Sequence, residues 1–308
     1  MSGLPRRVAV VGPTASGKSA VAMAVAEQLG DVELVSVDSM QVYRGMDIGT
    51  AKPTPDERAR VPHHLIDLVE PCDEFSVAEF QRAYEAVLSD LVVRGRRALL
   101  VGGTGLYHRV VIDGLDIPGE WPDIRARLEA EAADDGAEAL HARLAEVDPD
   151  AAAKMEPTNT RRIVRALEVW EGSGRRFSSF GPGLDAYPPS PVAQICLRWD
   201  RDALTERIVQ RVHRMIDDGL VDEVRRIAEG AGFSRTAAQA LGYKEIIAHL
   251  RGETTLDEAV ELISLRTRQF AVRQERWFRR DPRVTWVDVQ HDPVVEATPV
   301  VLAALSER

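Results

Sequence analysis

The sequence predicts an α/β fold with a mainly parallel β-sheet covered by helices, together with a helical insertion domain. Three observations lead to this prediction. Short apolar runs typical of buried strands alternate with helical patterns, an order that favours a parallel sheet. A glycine-rich loop joins the first strand to the first helix. From residue 119 to residue 171, Ala- and Glu-rich helical segments follow one another without a strand signal.

The glycine-rich loop fits the pattern G-x-x-x-x-G-K-[ST] and reads Gly12-Pro13-Thr14-Ala15-Ser16-Gly17-Lys18-Ser19. Its place between a strand and a helix is typical of a phosphate-binding loop. The glycines permit backbone angles that direct several N–H groups at one anion, and the helix N-terminus adds a positive dipole end. Lys18 supplies a charge for terminal phosphates, and Ser19 offers a hydroxyl to a phosphate-bound Mg²⁺. We therefore expect a P-loop NTPase-like core that binds polyphosphate or pyrophosphate; a plain glycine turn is the weaker alternative.

Further apolar runs predict additional strands of this sheet, at residues 33–37, 98–101, 192–197 and 284–287. A helix is predicted after Ser76, with Glu79 completing a capping box. In parallel sheets, ligands bind at the carboxyl ends of the strands. Gly12, Asp38 and Gly102 follow three of the predicted strands, so we expect them to converge on one crevice.

The domain organisation is predicted from the change in composition. Residues 119–191 form the helical insertion domain between two parts of the core, 1–118 and 192–308. The stretch 172–191 is rich in Gly, Ser and Pro, which is typical of a loop or flexible connection. Helical patterns then continue from residue 201 to residue 280.

Composition indicates a globular protein from a reducing compartment. The chain is 44% hydrophobic and 29% charged, as is ordinary for a soluble domain. Cys72 and Cys196 form no ligand cluster and are expected to be buried apolar residues. His63 and His64 are interpreted as packing or hydrogen-bonding groups, since no metal-binding spacing surrounds them. No apolar run reaches the length of a membrane span, so we expect a cytoplasmic protein with no membrane partner.

Charge is unevenly distributed, so the net charge of −10 does not exclude a polyanionic partner. Residues 119–160 contain eleven acidic and four basic residues, whereas residues 262–283 contain seven arginines and two acids. Arg161 and Arg165 share one face of a predicted helix. A solvated arginine face is the default interpretation of each segment. Two such segments in an acidic protein nevertheless favour a phosphate-backbone partner.

Asp38 ends the second predicted strand beside the phosphate loop. Such an acid can hold Mg²⁺ through water, or act as a general base towards a nucleophile, and the spacing leaves both roles open. The strand at 98–101 ends in the turn Gly102-Gly103-Thr104-Gly105, which supplies N–H groups and a hydroxyl. NTPases usually carry an acid at this place to position Mg²⁺ and water. Its absence disfavours a hydrolase and leaves a kinase open.

Taken together, the motifs resemble those of the tRNA dimethylallyltransferases (tRNA isopentenyltransferases). The second matching piece is long enough to be highly specific. Arg276 departs from the family pattern, in which Thr is usual, and so does Val272, where Lys is common; both concern the contacts of the last long helix rather than the reaction. The matching pieces run in order through most of the chain: GPTASGKS at 12–19, DSMQVYRGMDIGTAKP at 38–53, HHLID at 63–67, GGTGLY at 102–107, RRIVRALEV at 161–169, LGYKE at 241–245 and RQ-x-x-WF at 273–278.

The resemblance implies transfer of a dimethylallyl group from dimethylallyl pyrophosphate to the N6 amine of the adenosine 3′-adjacent to the anticodon, in tRNAs reading codons that start with U. It implies Mg²⁺, held partly by Ser19, a nucleotide- or ATP-binding loop and a monomer. Asp38 would deprotonate the amine. Thr104 and, by motif alignment, Arg125 would stabilise the departing pyrophosphate, which the phosphate loop binds through Lys18.

The resemblance also implies contacts with the tRNA anticodon stem-loop. A stacked adenine cannot reach a crevice, so the base must be extruded. The residues expected to contact tRNA are Asp38, Ser39, Met40, Gln41, Arg161, Arg162, Ile163, Val164, Arg165, Gln239, Gly242, Tyr243, Lys244, Arg273, Gln274 and Trp277.

Three alternative functions are weighed against this one. An isopentenyltransferase that acts on free AMP, ADP or ATP would need no anticodon-binding surface. A kinase would turn over ATP and has no use for the long motif at 38–53. A non-catalytic RNA-binding module is disfavoured by Asp38 and the intact phosphate loop.

Overall fold

The structure, a computed structural model, describes residues 7–181 and 183–306. The ends of the predicted core ranges, 1–6 and 307–308, and Pro182 of the predicted loop lie outside the described residues. The chain divides into two compact units, Met1–Ile112 with Pro189–Arg308, and Asp113–Pro188.

A six-stranded sheet forms the centre of the first unit, and all its neighbouring strands are parallel. The strands are β1 (Arg7–Val11), β2 (Val32–Val37), β3 (His63–His64), β4 (Arg97–Gly102), β5 (Val192–Trp199) and β6 (Val284–Val289). Their order along the sheet is β3-β2-β4-β1-β5-β6. The predicted mainly parallel sheet is confirmed.

Helices surround the sheet and make up the second unit. They are α1 (Lys18–Leu29), α2 (Pro55–Arg60), α3 (Val77–Val93), α4 (Gly105–Asp113), α5 (Pro122–Asp135), α6 (Ala137–Val147), α7 (Pro149–Ala152), α8 (Thr160–Ser173), α9 (Arg201–Asp217), α10 (Leu220–Glu229), α11 (Tyr243–Leu250), α12 (Leu256–Arg279) and α13 (Pro293–Ser306). Short 3-10 turns lie at Phe177–Ser179 and Ala237–Gln239. Helix α13 is not predicted from the sequence, because the internal Pro299 interrupts its helical pattern.

Both faces of the sheet are covered, which explains why its strands are continuous apolar runs. Successive side chains of a strand point to opposite faces. In β1, Val8 and Val10 pack in one apolar cluster with residues of α1 and α13, whereas Ala9 and Val11 belong to another with residues of α3, α9 and α12. The two clusters hold the carboxyl ends of the central strands in place.

Local sequence sets where the helices begin. Ser76 Oγ accepts the Glu79 N–H at 3.2 Å, and the Glu79 carboxylate accepts the Ser76 N–H at 2.7 Å, so the predicted capping box is confirmed. Thr54 with Glu57 and Thr255 with Glu258 form the same arrangement at α2 and α12. These caps satisfy backbone N–H groups that a helix start leaves free.

The second unit is built around α8. Ile163 and Leu167 of this helix are fully buried, as their shared face predicts, and pack in one apolar cluster with Leu128 and Leu144. Its amphipathic pattern therefore supplies a core for a small helical unit.

The two cysteines differ in their surroundings. Cys196 is buried in β5, as predicted, but Cys72 is exposed. The prediction of burial is wrong for Cys72, because this residue lies in the turn at residues 71–73. His63 Nδ1 lies 2.8 Å from the Val61 carbonyl and His64 Nε2 lies 2.7 Å from Glu33, which confirms their hydrogen-bonding role. Over residues 7–181 and 183–306, none of the helices combines the length and apolar character that crossing a bilayer requires.

Candidate active site

A cavity of about 920 Å³ lies at the carboxyl edge of the sheet. The loops that follow β1, β2 and β4 line it, and these strands are neighbours in the order β2-β4-β1. Lys18, Asp38 and Thr104 each belong to one of these loops and line the same cavity. The expected convergence of three strand ends is therefore confirmed.

The phosphate loop has the backbone form that its glycines predict. Gly12 has φ 140° and Gly17 has φ 93°, values that residues with a Cβ rarely adopt. A Cβ on Gly12 would lie 2.8 Å from the Leu197 carbonyl oxygen. Lys18 Nζ donates to the Pro13 carbonyl at 2.7 Å, so the ammonium group folds back over the loop. The geometry is that of an anion cradle with its lysine in place.

Two side chains from outside the loop hold its carbonyl groups. Trp199 Nε1 donates to the Ser16 carbonyl and Arg207 Nε to the Ala15 carbonyl, both at 2.9 Å. The Arg207 guanidinium also stacks on the Trp199 ring, 4.3 Å from its centroid. The two residues thus hold two of the loop's carbonyl groups by hydrogen bonds.

Arginines of α9 add positive charge to the cavity. Arg207, Arg211 and Arg214 are spaced four and three residues apart and all line it. This spacing puts them on one helix face. They are not among the residues predicted from the sequence, although the same spacing in the pattern R-x-x-x-R-x-x-R was the signal that could have found them.

Burial governs the ionisation of the basic groups here. It lowers the pKa of Lys18 from its ordinary value of 10.5 to about 8, with a contribution from the charge of Arg211 and an opposing one from Asp38. Burial likewise lowers the pKa of Arg211, while Asp38 raises it. Arg211 and Asp38 are therefore close enough to Lys18 for their charges to act on its pKa. Two desolvated cations beside one carboxylate favour the binding of an anion.

Asp38 is held at the start of its loop. Its Oδ1 accepts the N–H groups of Met40 at 2.8 Å and Gln41 at 3.4 Å. Thr104 Oγ1 accepts the Ser39 N–H at 3.3 Å. The carboxylate of one strand-end loop and the hydroxyl of the next are thereby held in a defined relation.

The side chain of Gln41 is also fixed. Ser36 Oγ donates to its Oε1 at 2.8 Å, and its Nε2 donates to the Thr50 carbonyl at 3.1 Å. Both ends of the amide are engaged, and Nε2 binds within the long motif at 38–53.

Lys52 stabilises the motif at 38–53 through contacts of its buried side chain. Its side chain is 1% exposed, and Nζ donates to Asp47 at 2.9 Å, to Asp67 at 2.6 Å and to the Tyr43 carbonyl. Two carboxylates and a carbonyl compensate the cost of burying the charge of this ammonium group. This explains why an apparently irregular loop of the sequence is well defined in the fold.

Several residues predicted to contact tRNA do line the cavity: Asp38, Ser39, Met40, Gln41, Gln239, Gly242, Arg273 and Gln274. Lys244 is exposed and donates to Gln239 at 3.0 Å, and Trp277 is half-buried. Tyr243, in contrast, is fully buried and donates its hydroxyl proton to Glu223 at 2.5 Å. No part of Tyr243 is at the surface of this structure, and its contact with tRNA stays a prediction.

The second unit contains the remaining predicted residues. Arg125 Nε lies 2.9 Å and Arg165 NH1 3.0 Å from Oε2 of Glu168, whose side chain is fully buried. Arg161 and Arg162 are exposed at the start of α8. The other two predicted residues of this helix, Ile163 and Val164, are buried in this structure, and their contact with tRNA stays a prediction.

Comparison with known proteins connects this geometry to a family. The family model described as IPP transferase matches residues 41–281, and that described as isopentenyl transferase matches residues 6–67. The first match covers more than half of the chain, and the second contains the phosphate loop and Asp38. The chain belongs to the IPP transferase family.

Members of this family and solved structures resemble the chain over nearly its whole length. A tRNA dimethylallyltransferase of Streptomyces coelicolor is 53% identical over 284 residues, which are 92% of this chain and 90% of the relative. The tRNA isopentenylpyrophosphate transferase of Bacillus halodurans is 40% identical, with a TM-score of 0.69 and coverage of 98% of this chain and 97% of that one. A eukaryotic dimethylallyltransferase described as acting on tRNA is 24% identical with a TM-score of 0.79, covering 97% of this chain and 78% of that one, and shows the shared fold.

The metal-binding capacity of this IPP transferase family member follows from its donor set. Within the described part of the chain, no three His, Cys, Asp or Glu side chains are grouped to hold a metal ion. Ser19 is exposed and lines the cavity together with Asp38. Mg²⁺ commonly takes one or two protein oxygens and completes its shell with water and substrate phosphates. A hydroxyl and a carboxylate beside an anion cradle fit that requirement.

Proposed function

We propose that this member of the IPP transferase family transfers a dimethylallyl group from dimethylallyl pyrophosphate to the N6 amine of an adenosine in tRNA. The observation that carries the proposal is that Asp38 lines the same cavity as the phosphate loop. The 53% identity to a protein named tRNA dimethylallyltransferase supports it. The finer assignment, the adenosine 3′-adjacent to the anticodon in tRNAs reading codons that start with U, rests on the family resemblance alone.

The positive end of the cavity binds the diphosphate of the donor. N–H groups of the phosphate loop, the Lys18 ammonium and the Arg211 guanidinium face the leaving group and stabilise the charge that develops on it. Thr104 adds a hydroxyl from the neighbouring loop. Arg125 remains a proposed contributor of the helical unit.

Asp38 takes the role of the base. The adenine amine attacks the allylic carbon, the carbon–oxygen bond to the diphosphate breaks, and the proton lost by the nitrogen passes to the Asp38 carboxylate. Holding amine and carbon in one cavity converts an encounter in solution into a reaction of bound groups.

Mg²⁺ is proposed as the metal, with Ser19 as its protein ligand on the diphosphate side. When bound, it would neutralise charge on the leaving diphosphate. The position of Ser19 directly after Lys18, in the first turn of α1, supports this assignment.

We propose that the tRNA contacts both compact units of the chain. Residues 119–191 would act as the insertion domain that contacts the anticodon stem-loop, through Arg161, Arg162 and Arg165. Lys244 and Arg273 would contact tRNA from the first unit. A tRNA substrate is compatible with a cytoplasmic protein, and the monomeric state stays a prediction.

The function is tested by incubating the purified chain with total tRNA, labelled dimethylallyl pyrophosphate and Mg²⁺, without ATP. Nucleoside analysis is expected to show label in isopentenyladenosine from tRNA. Label in free AMP alone would establish the adenylate isopentenyltransferase instead, and a strict requirement for ATP would favour a kinase. Absence of label from every nucleoside would contradict the proposal.

A further inference from the structure

Gln274 joins the loops that follow β1 and β4. Its Oε1 accepts the backbone N–H of Thr14 at 2.8 Å, and its Nε2 donates to the Gly103 carbonyl at 2.9 Å. The residue as a whole is 7% exposed. One end of the amide accepts and the other donates, so the hydrogen bonds define a single orientation of the side chain.

The turn formed by residues 102–105 lies in close contact with α12, the helix that contains Gln274. A Cβ on Gly103 would collide with Gln274 Nε2 and would lie 3.0 Å from the Gly12 carbonyl oxygen. A Cβ on Gly105 would collide with the indole of Trp277, one turn further along α12. The glycines of this turn therefore permit the close approach of α12, and a packing role for them accompanies any role in binding an anion.

Thr104 connects the contacts of Gln274 to Asp38, the proposed general base. Thr104 follows Gly103, and its Oγ1 accepts the N–H of Ser39 at 3.3 Å. Ser39 in turn follows Asp38. The phosphate loop, Thr104 and Asp38 are thus tied together by three hydrogen bonds, two of which involve Gln274.

We propose that Gln274 is a positioning residue for the transfer reaction, and that it acts by setting the phosphate loop against the loop of Thr104, which is bonded to the loop of Asp38, rather than by contacting tRNA. This inference rests on the proposed function. A displacement of about 1 Å between reacting groups can cost about 10²-fold in rate. A side chain that joins the two loops therefore affects the reaction strongly without touching either substrate.

The proposal is tested with Gln274→Met, which keeps the length of the side chain and removes both hydrogen bonds. Gln269→Met is the matched control, since it makes the same change at an exposed position of α12. Three quantities are measured for each purified protein: the affinity for inorganic pyrophosphate with Mg²⁺ by calorimetry, kcat and KM for dimethylallyl pyrophosphate, and the affinity for tRNA by filter binding without donor.

We expect Gln274→Met to lower kcat/KM for the donor at least tenfold and to weaken pyrophosphate binding, while the tRNA dissociation constant changes less than twofold. Gln269→Met should match the wild type in the donor assays. A tenfold loss of tRNA affinity in Gln274→Met would overturn the proposal and make Gln274 a tRNA contact. Unchanged donor kinetics and pyrophosphate binding would overturn it as well.

A second variant keeps the test decisive if Gln274→Met does not fold. Gln274→Glu retains an acceptor for Thr14 and loses the donor to Gly103, so we expect a folded protein with the same pattern of change. A wild-type protein that transfers no label would contradict the proposed function. The pyrophosphate affinities of wild type and variant would still decide whether Gln274 positions the loop.

Discussion

Tyr243 donates its hydroxyl proton to Glu223 at 2.5 Å inside the protein core. Burial and the carboxylate of Glu223 raise the pKa of this tyrosine well above its ordinary range. The same carboxylate accepts N–H groups of the long motif, at 2.9–3.3 Å, from Asp47, Ile48 and Gly49. A Cβ on Gly49 would collide with the Tyr243 ring. Glu223 and Tyr243 thus hold the far part of the loop that begins at Asp38.

Replacement of Glu223 is expected to loosen that loop. Glu223→Gln puts an NH₂ group among backbone donors, and leaving a buried donor unsatisfied costs about 1–3 kcal/mol. We expect the free energy of unfolding in urea to fall by about this amount and kcat/KM for tRNA to fall with it. Asp222→Asn, at an exposed neighbour on α10, is the control and should remain within about 0.5 kcal/mol of wild type. Equal stability of the two variants would show that Glu223 does not hold the loop.

Asp38 carries a second prediction. Asp38→Ala should fold normally and lose about 10²–10⁴-fold in transfer rate, the usual contribution of a positioned base. Asp38→Asn preserves an oxygen that can accept the Met40 N–H. It separates the two roles of Asp38, because an amide cannot act as the base. Single-turnover transfer to tRNA by Asp38→Asn at the wild-type rate would leave Asp38 only a role in loop geometry.

Asp38 and Glu223 illustrate what can and cannot be predicted from the sequence. Lys18, Asp38 and Thr104 each follow a predicted strand, and parallel strands end at one edge of a sheet, so their convergence is predictable. Glu223 lies on an amphipathic helix like many surface acids, and its partners are backbone groups far away in the chain. Their proximity depends on tertiary packing, which no local pattern encodes.

Arg211 was not predicted either, although the spacing of the arginines in α9 was a signal for it, and it carries a third prediction. Arg211→Gln should weaken pyrophosphate binding about ten- to hundredfold, because a hydrogen bond to a charged group is worth about 1.5–3 kcal/mol. Arg201→Gln, at an exposed position of the same helix that is not part of the cavity lining, is the matched control. Calorimetry with pyrophosphate and Mg²⁺ measures both. An affinity of Arg211→Gln equal to that of the control would remove this residue from the anion site.

The arginines of α8 predict how tRNA binding depends on salt. Replacing Arg161 and Arg162 by Gln should reduce the slope of log K against log salt concentration by about 0.7–0.9 for each phosphate that the protein no longer neutralises. Filter binding at several salt concentrations gives the slope. Arg225→Gln, which removes an exposed arginine of α10 paired with Asp222, should leave the slope unchanged. An equal reduction in both proteins would mean that only net charge matters.

Glu33 predicts how the stability of the first unit depends on pH. Its side chain is 2% exposed, and Arg94 binds it through two hydrogen bonds of 2.6 and 2.8 Å. Arg96 at 3.1 Å and His64 at 2.7 Å complete its partners. Hydrogen bonds from Arg94, and then from His64 and Arg96, outweigh burial and lower the pKa of Glu33 from 4.5 to about 2.

A carboxyl whose pKa is lower in the folded than in the unfolded state stabilises the fold only while it is ionised. The contribution of Glu33 is therefore complete above about pH 4.5 and is lost as the pH falls towards 2. It amounts to at most about 3 kcal/mol, at 1.36 kcal/mol for each unit of pKa. We expect Glu33→Gln to be less stable than wild type at pH 7 and to lose less stability between pH 5 and pH 3. Urea unfolding across this range measures the difference, with exposed Glu229→Gln as the control. Parallel pH profiles of wild type and Glu33→Gln would mean that other carboxylates account for the acid sensitivity of the fold.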